Sequence, residues 1–192
     1  MKTATPSTIR LRESDRAALA AHFLALDGED RRLRFGSSVR DEVLKEYAAR
    51  IDFERDGIFA VQDDYFRLLA VVHVAFSGAN AELGLSVLSG RRGAGLGSAL
   101  FSRAVIHLRN RGATEVFVHC LSENGAMMHL AHKHGMRVIP AGAETEARLV
   151  LEPSTPHSHY LEWVQDNQAR AVNRARHTMR FSSAMLGIFP PA

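Results

Sequence analysis

The chemistry in this chain is concentrated in one short stretch. Arg91-Arg92-Gly93-Ala94-Gly95-Leu96-Gly97 places three glycines at alternate positions behind two arginines. Glycine allows close approach of a backbone to a ligand and tolerates positive φ. An apolar strand pattern precedes the loop and a helical pattern follows it. Free N–H groups at such a helix start point into the turn, and the helix dipole favours an anion there. Arg91 and Arg92 add formal positive charge. The loop suits a diphosphate held mainly by backbone, although a tight strand-to-helix turn without a ligand has the same pattern.

Spacing separates the phosphate readings. A dinucleotide loop needs G-x-G-x-x-G/A, but the sixth position is Ser98 counted from Gly93 and Leu100 counted from Gly95. The acidic residue expected about 20 positions on has no clear counterpart. A Walker loop needs a lysine that is absent, and the partner motifs of a kinase glycine loop are absent too. His129, His132 and His134 share one short segment, but no nearby acid completes a ligand set, so a solvated face is expected and no metal. The single cysteine, Cys120, excludes an internal disulfide.

The elements that must position this loop follow from periodicity. Residues 13–26 read as a helix capped by Ser14, residues 27–38 as a charged loop, and the segment after Ser38 as a second helix. "GIFAVQ" and "FRLLAVVHVAFS" flank the turn "DDY" as a hairpin, and "AELGLSVL", 81–88, is a third strand. A helix over 96–111 carries Leu96, Leu100, Ala104 and Leu108 at fourfold spacing and stops at Gly112. "TEVFVHCL" is a buried strand, "ENGAMMHLAHKHG" a short helix closed by Gly135, and "MRVIP" and "ARLVLEP" a last strand pair. The class is α/β: antiparallel strands first, then a right-handed βαβα unit.

With those elements in place, Arg92-Gly93-Ala94-Gly95-Leu96-Gly97 resembles [Q/R]-x-x-G-x-[G/A], the acyl-CoA pyrophosphate loop of the GNAT superfamily of N-acetyltransferases. The preceding "AELGLSVL" is similar to that family's fourth strand. "CLSEN" places Asn124 at a helix start, with Gly135-Met136 where the family has Gly-Phe. The resemblance covers roughly residues 8–152. "EDRRLRFGSS", "IDFERDGIFAV", "AELGLSV" and "ENGAMMHLAHKHGM" further resemble the acetyltransferase domain of bacterial Pat-type protein lysine acetyltransferases, where an Arg-Phe segment precedes the second helix. The resemblance implies a mixed, mostly antiparallel sheet with a central splayed parallel strand pair flanked by helices. It also implies acetyl-CoA as co-substrate.

The implied reaction moves an acetyl group from a thioester to a primary amine, on a small molecule or a protein lysine. An amine is protonated at pH 7, so a base must take its proton. The resemblance assigns that role to Glu82; a partly buried carboxylate suits it, whereas the residue read alone is a strand-end charge. Backbone N–H groups near Ser86 and Val87 are implied to stabilise the oxyanion. Arg92, Gly93, Ala94, Gly95, Leu96, Gly97 and Ser98 are implied to hold the coenzyme. Asn124 is implied to contact its pantetheine arm, and Asn is also a good helix N-cap. The family often has a tyrosine seven residues after this asparagine as general acid; here that position is Ala131. A catalytically idle, acetyl-CoA-binding sensor or scaffold is the competing expectation.

The chain beyond residue 152 reads as an extension, 153–192, entered through the linker-like "EPSTPHSH" with His157 and His159 as loop residues. Tyr160, Val164, Ala171, Ala175 and Met179 are expected on one helix face, covering the domain or a second subunit as a homodimer contact. Arg170, Arg174, Arg176 and Arg180 make it basic, but a net charge of +3 does not suggest a nucleic-acid binder. With 46% apolar and 23% charged residues the chain can build an ordinary core. No segment approaches the ~20 apolar residues that span a bilayer, and the N-terminus lacks a signal-peptide pattern, so a cytoplasmic location is expected.

Overall fold

The computed structural model describes residues 6–168 and residue 171. Seven strands form one mixed sheet in the order β1-β2-β3-β4-β5-β7-β6. They are β1 (Ile9–Arg10), β2 (Gly57–Gln62), β3 (Leu68–Ser77), β4 (Asn80–Val87), β5 (Glu115–Leu121), β6 (Arg137–Ala141) and β7 (Glu144–Val150). Every neighbouring pair is antiparallel except β4–β5. β4 and β5 pair only at Asn80↔Glu115, Ala81↔Val116 and Glu82↔Phe117, and they diverge beyond that point. The expected splayed parallel pair is therefore present at the centre of the sheet.

Helices cover both faces. α4 (Leu96–Asn110) and α5 (Gly125–Lys133) pack Leu100, Phe101, Leu108, Met127 and Leu130 against Val72, Leu83, Val116 and Val118. α1 (Arg16–Leu24) and α3 (Asp41–Arg50) pack Leu19, Phe23 and Leu44 against Ile58, Ala60 and Val71. Burying a large aliphatic or aromatic side chain contributes roughly 1.5–3 kcal/mol, so these two layers set the stability of the scaffold.

Local chemistry shifts several expected boundaries. The first helix begins as a 3-10 turn at Glu13–Asp15, because the Asp15 carboxylate, rather than Ser14, accepts the Arg12 N–H at 2.8 Å. α3 starts at Asp41 instead of after Ser38, with Asp41 and Glu42 in its first turn. The expected charged loop at 27–38 holds a further helix, α2 (Gly28–Phe35). The Asp27 carboxylate caps it by accepting from the Asp30 N–H at 2.8 Å, acids fill its first turn, and Gly36 ends it at φ 77°.

The last helix, α6 (156–168), starts inside the segment expected to be a linker, so His157 and His159 are helical rather than loop residues. Thr155 and Ser158 cap each other's backbone N–H groups reciprocally, at 2.9 and 3.1 Å. Tyr160 is 59% exposed rather than docked. A polar stripe docks instead. Ser158, Glu162 and Asp166 meet Asn110, Arg103 and His107 of α4, with Glu162 Oε1 2.8 Å from His107 Nδ1. Arg103 is 1% exposed, and its cation sits over the Phe59 ring. Ala175, Met179, Arg170, Arg174, Arg176 and Arg180 lie outside the described residues, as does any dimer contact they would make. No described helix is long and apolar enough to cross a membrane.

Candidate active site

The divergence of β4 from β5 creates the site. Side chains alternate along β4. Leu85 and Val87 face α4, whereas Glu82, Gly84 and Ser86 face the side of α1 and α2. Backbone groups alternate as well. Leu88 N–H donates to the Leu69 carbonyl, and the register pairs Ser86 with Val71 and Gly84 with His73. Ser86 therefore points its N–H at β3, and the N–H groups of Leu85 and Val87 point into the opening towards β5. Of the two amides expected from sequence, Val87 faces the opening and Ser86 does not. The Ser86 hydroxyl is also engaged, 2.8 Å from His22 Nε2. Burial holds His22 down to about 4, against the opposing pull of the Leu68 carbonyl, so this histidine is neutral at pH 7.

The glycine loop closes one end of the opening. After a 3-10 turn at Ser89–Arg91, Gly93 and Gly95 adopt φ 77° and 76°, a region open to glycine and strained for other residues. Gly95 is the N-cap of α4 and offers no side-chain cap. The first intrahelical N–H is that of Ala99, donating to the Gly95 carbonyl at 3.0 Å, so Leu96, Gly97 and Ser98 present free N–H groups. No atom lies within 4 Å of where a Cβ would stand on Gly93 or Gly95. A cleft of about 500 Å³ runs from this cradle between β4 and α5. It is lined by Ser86, Val87, Arg92, Gly93, Gly95, Leu96, Gly97, Ser98 and Asn124; Ala94 is the one loop residue named from sequence that does not line it. The cradle fits a diphosphate by its donors and its open face.

A second cleft of about 260 Å³ opens beside the first and shares Leu33, Arg34, Leu85, Asn124 and Met127 with it. Glu82 lines this second cleft, with Gly84, His119 and Glu144. Glu82 is exposed rather than partly buried, with 54% of its side chain open to solvent. His119 stands next to it, its Nδ1 3.8 Å from Glu82 Oε1 and its Nε2 2.8 Å from Glu146 Oε2. The hydrogen bonds of Arg148 and His119 hold the Glu146 carboxyl below its usual range despite some burial, so this acid stays ionised and orients the His119 ring.

Helix α2 forms the roof over both clefts. Asn124 ties it down: its Nδ2 donates to the Leu33 carbonyl at 3.3 Å while its Oδ1 caps α5 by accepting from Met127 N–H at 3.0 Å. The N-cap expectation holds, and the side-chain amide has a second structural use. Arg32 pairs with Glu123 across the same junction, and buried Asp30 pairs with Arg92 of the loop. Arg34, Asp30 and His119 were absent from the sequence-derived site. The first two sit in a helix whose few apolar residues conceal its periodicity, and His119 becomes a neighbour of Glu82 only through strand register.

The remaining expectations resolve locally. His134 is half-buried rather than solvated; its Nε2 lies 3.0 Å from Ser98 Oγ and its ring packs on Phe101. His129 and His132 are exposed. Ala131, at the position of the family's frequent tyrosine, is wholly buried in the core.

Comparison with known proteins agrees with this geometry. The profile of the acetyltransferase (GNAT) family matches residues 29–136. The GNAT domain of S. lividans PAT superposes with a TM-score of 0.65 at 18% identity, covering 75% of this chain and 89% of that one. An acetyltransferase of the GNAT family from Staphylococcus aureus Mu50 gives 0.61 at 12% identity, with 76% and 98% covered. The ribosomal-protein-S18-alanine N-acetyltransferase of Escherichia coli gives 0.56 at 20% identity, with 77% and 94% covered. At these identities the likeness is one of fold. No curated protein sequence matches the chain.

Proposed function

The chain belongs to the acetyltransferase (GNAT) family, and from that membership we propose that it transfers the acetyl group of acetyl-CoA to a primary amine, on a small molecule or a protein lysine. The observation that carries the reading is the open, positive-φ cradle at Gly93–Ser98 beside the unpaired edge of β4. In this reading the free N–H groups of Leu96, Gly97 and Ser98, with Arg92, hold the coenzyme diphosphate. The amides of Leu85 and Val87 face the pantetheine arm and the acyl oxygen. Residues 8–152 carry the reaction and 153–192 are an extension, of which the described part, up to residue 168, docks through Glu162.

Bound acetyl-CoA supplies an activated acyl carbon. Glu82, directly or through a water, takes the proton that an ammonium must lose before its nitrogen can attack. His119 borders that carboxylate and is held by Glu146. A C–N bond forms as the C–S bond breaks, the nitrogen gives up its second proton to solvent, and the charge on the acyl oxygen is met by backbone donors. Ala131 has no proton to give, so the departing thiolate takes one from solvent. The reading is tested by acetyl-CoA-dependent thermal stabilisation followed by CoA release with an amine panel. Stabilisation with amine-dependent CoA release supports it. Stabilisation without turnover supports a binding-only domain, the reading favoured by the buried Ala131.

A further inference from the structure

Arg34 lies where the two clefts meet, and its chemistry has no use in the scheme above. Its guanidinium rests against β4 at Gly84: a Cβ there would stand 1.9 Å from Nη2 and 2.2 Å from Cζ. Glycine at this position leaves the room that the guanidinium fills. Nη2 donates to Tyr47 Oη at 3.1 Å, Tyr47 Oη lies 2.7 Å from His73 Nδ1, and His73 Nε2 lies 3.0 Å from Asp56 Oδ2. The Phe35 ring packs 4.9 Å from the cation. The side chain is thus held in place from two sides. Among the described residues no carboxylate pairs with it, and its buried Nε–H has no partner. The neighbouring part-buried arginines differ: Arg31 pairs with Asp41 and Arg32 with Glu29. A fixed, unpaired guanidinium inside a cleft is a site for an anionic group, and its planar fork matches a carboxylate.

The opposite charge lies on the same face. Glu82 and Gly84 alternate to one side of β4, so Glu82 stands roughly 7 Å along the strand from the residue that carries Arg34. Glu144 adds a second acid to the lining. By register Glu82 lies level with Phe117 and Glu144 opposite Leu121, so the two acids lie on either side of Gly84, and Arg34 is the one lysine or arginine in the lining. We infer that Arg34 anchors a carboxylate on the acceptor, and that the acceptor is an amino acid or a short-chain ω-amino homologue, bound with its amine towards Glu82. This inference rests on the acyltransferase reading above and narrows its acceptor.

The test pairs amino acids with their carboxamides and adds a lysine-bearing peptide capped at both ends. Binding is read by titration onto CoA-saturated protein and turnover by CoA release. The acid should bind at least roughly tenfold tighter than its amide and have the lower KM. In Arg34→Gln that ratio should fall to near one. Equal use of acid and amide by the wild type overturns the inference, as does exclusive use of the capped peptide. A ratio that survives in Arg34→Gln also overturns it, as does a variant that loses acetyl-CoA binding but keeps the ratio. The wild-type ratio alone decides the matter if the variant does not fold. Failure of all turnover with the binding preference intact counts against the transferase reading and supports the anchor.

Discussion

Glu82 and His119 face each other across the diverging strands, with Oε1 3.8 Å from Nδ1, at the mouth of the smaller cleft. The parallel register places Glu82 opposite Phe117, so His119 lies one strand repeat further along β5 on the same face. Glu82→Gln keeps the shape and removes the base. It should lower kcat about 10²-fold or more while acetyl-CoA binding stays within about twofold. His119→Ala should cost less, because it borders the base without replacing it. Steady-state kinetics beside coenzyme titration measure both, and an unchanged kcat in Glu82→Gln removes Glu82 from the role.

Gly95→Asp should abolish stabilisation by acetyl-CoA. The carboxylate would face the anion that the cradle is built to accept, and φ 76° disfavours any side chain. Gly95→Ala separates the two causes: it carries only the backbone cost of about 1–2 kcal/mol and no charge. It should melt lower than wild type yet still bind. Thermal melts with and without acetyl-CoA read the difference.

Acid should weaken the fold in two windows. His22 is held at about 4, below its unfolded value, so the unfolded chain binds more protons at intermediate pH. Its contribution is complete above about pH 6.5 and is lost as pH falls towards 4, on the order of 3 kcal/mol in full. Burial lowers His73 and His107 in the same direction. Glu162 behaves as a depressed carboxylate: burial raises it, but His107, Asn110 and Arg103 prevail and hold it at about 2. Its contribution is present above the ordinary carboxylate range and fades as pH falls from there towards 2. Urea unfolding across pH 7 to 3 should show the first loss, and His22→Gln should make it shallower between pH 6.5 and 4, with the remainder left to His73 and His107.

Glu162→Ala should destabilise the protein by roughly 2–4 kcal/mol, because Arg103 and His107 would lose a partner while remaining buried. Asp166 still meets Arg103, which keeps the loss below that of a wholly unpaired charge. Urea titration at pH 7 gives the number. An effect within 0.5 kcal/mol would mean that α6 contributes little to the fold.

The strands from residue 57 on, the βαβ unit and the glycine loop were legible because each rests on local rules of period, turn and spacing, whereas β1 and the seating of β7 between β5 and β6 were not. α2 was hidden by its composition. Its caps, Asp27 and Gly36, are ordinary signals, but its few apolar residues gave no stripe to count. α6 carried a helix-start signature in Thr155-Pro156, which read instead as a break. The polar parts of the site were less legible for a different reason. That Arg34 lies on Gly84, and that Glu82 meets His119, follows from contacts across 50 and 37 residues of chain, which no local pattern encodes.

The divergence of β4 from β5 also bears on self-association. A strand edge with free amides is normally a hazard, since it invites another polypeptide to pair. Here the bare edge at Leu85 and Val87 lies within the sheet, with β5 on its far side and α2 across the opening. A second chain, with side chains on both faces, would collide with these walls. A slender, unbranched molecule would not. The fold thus keeps an adhesive edge by restricting the width of what can reach it.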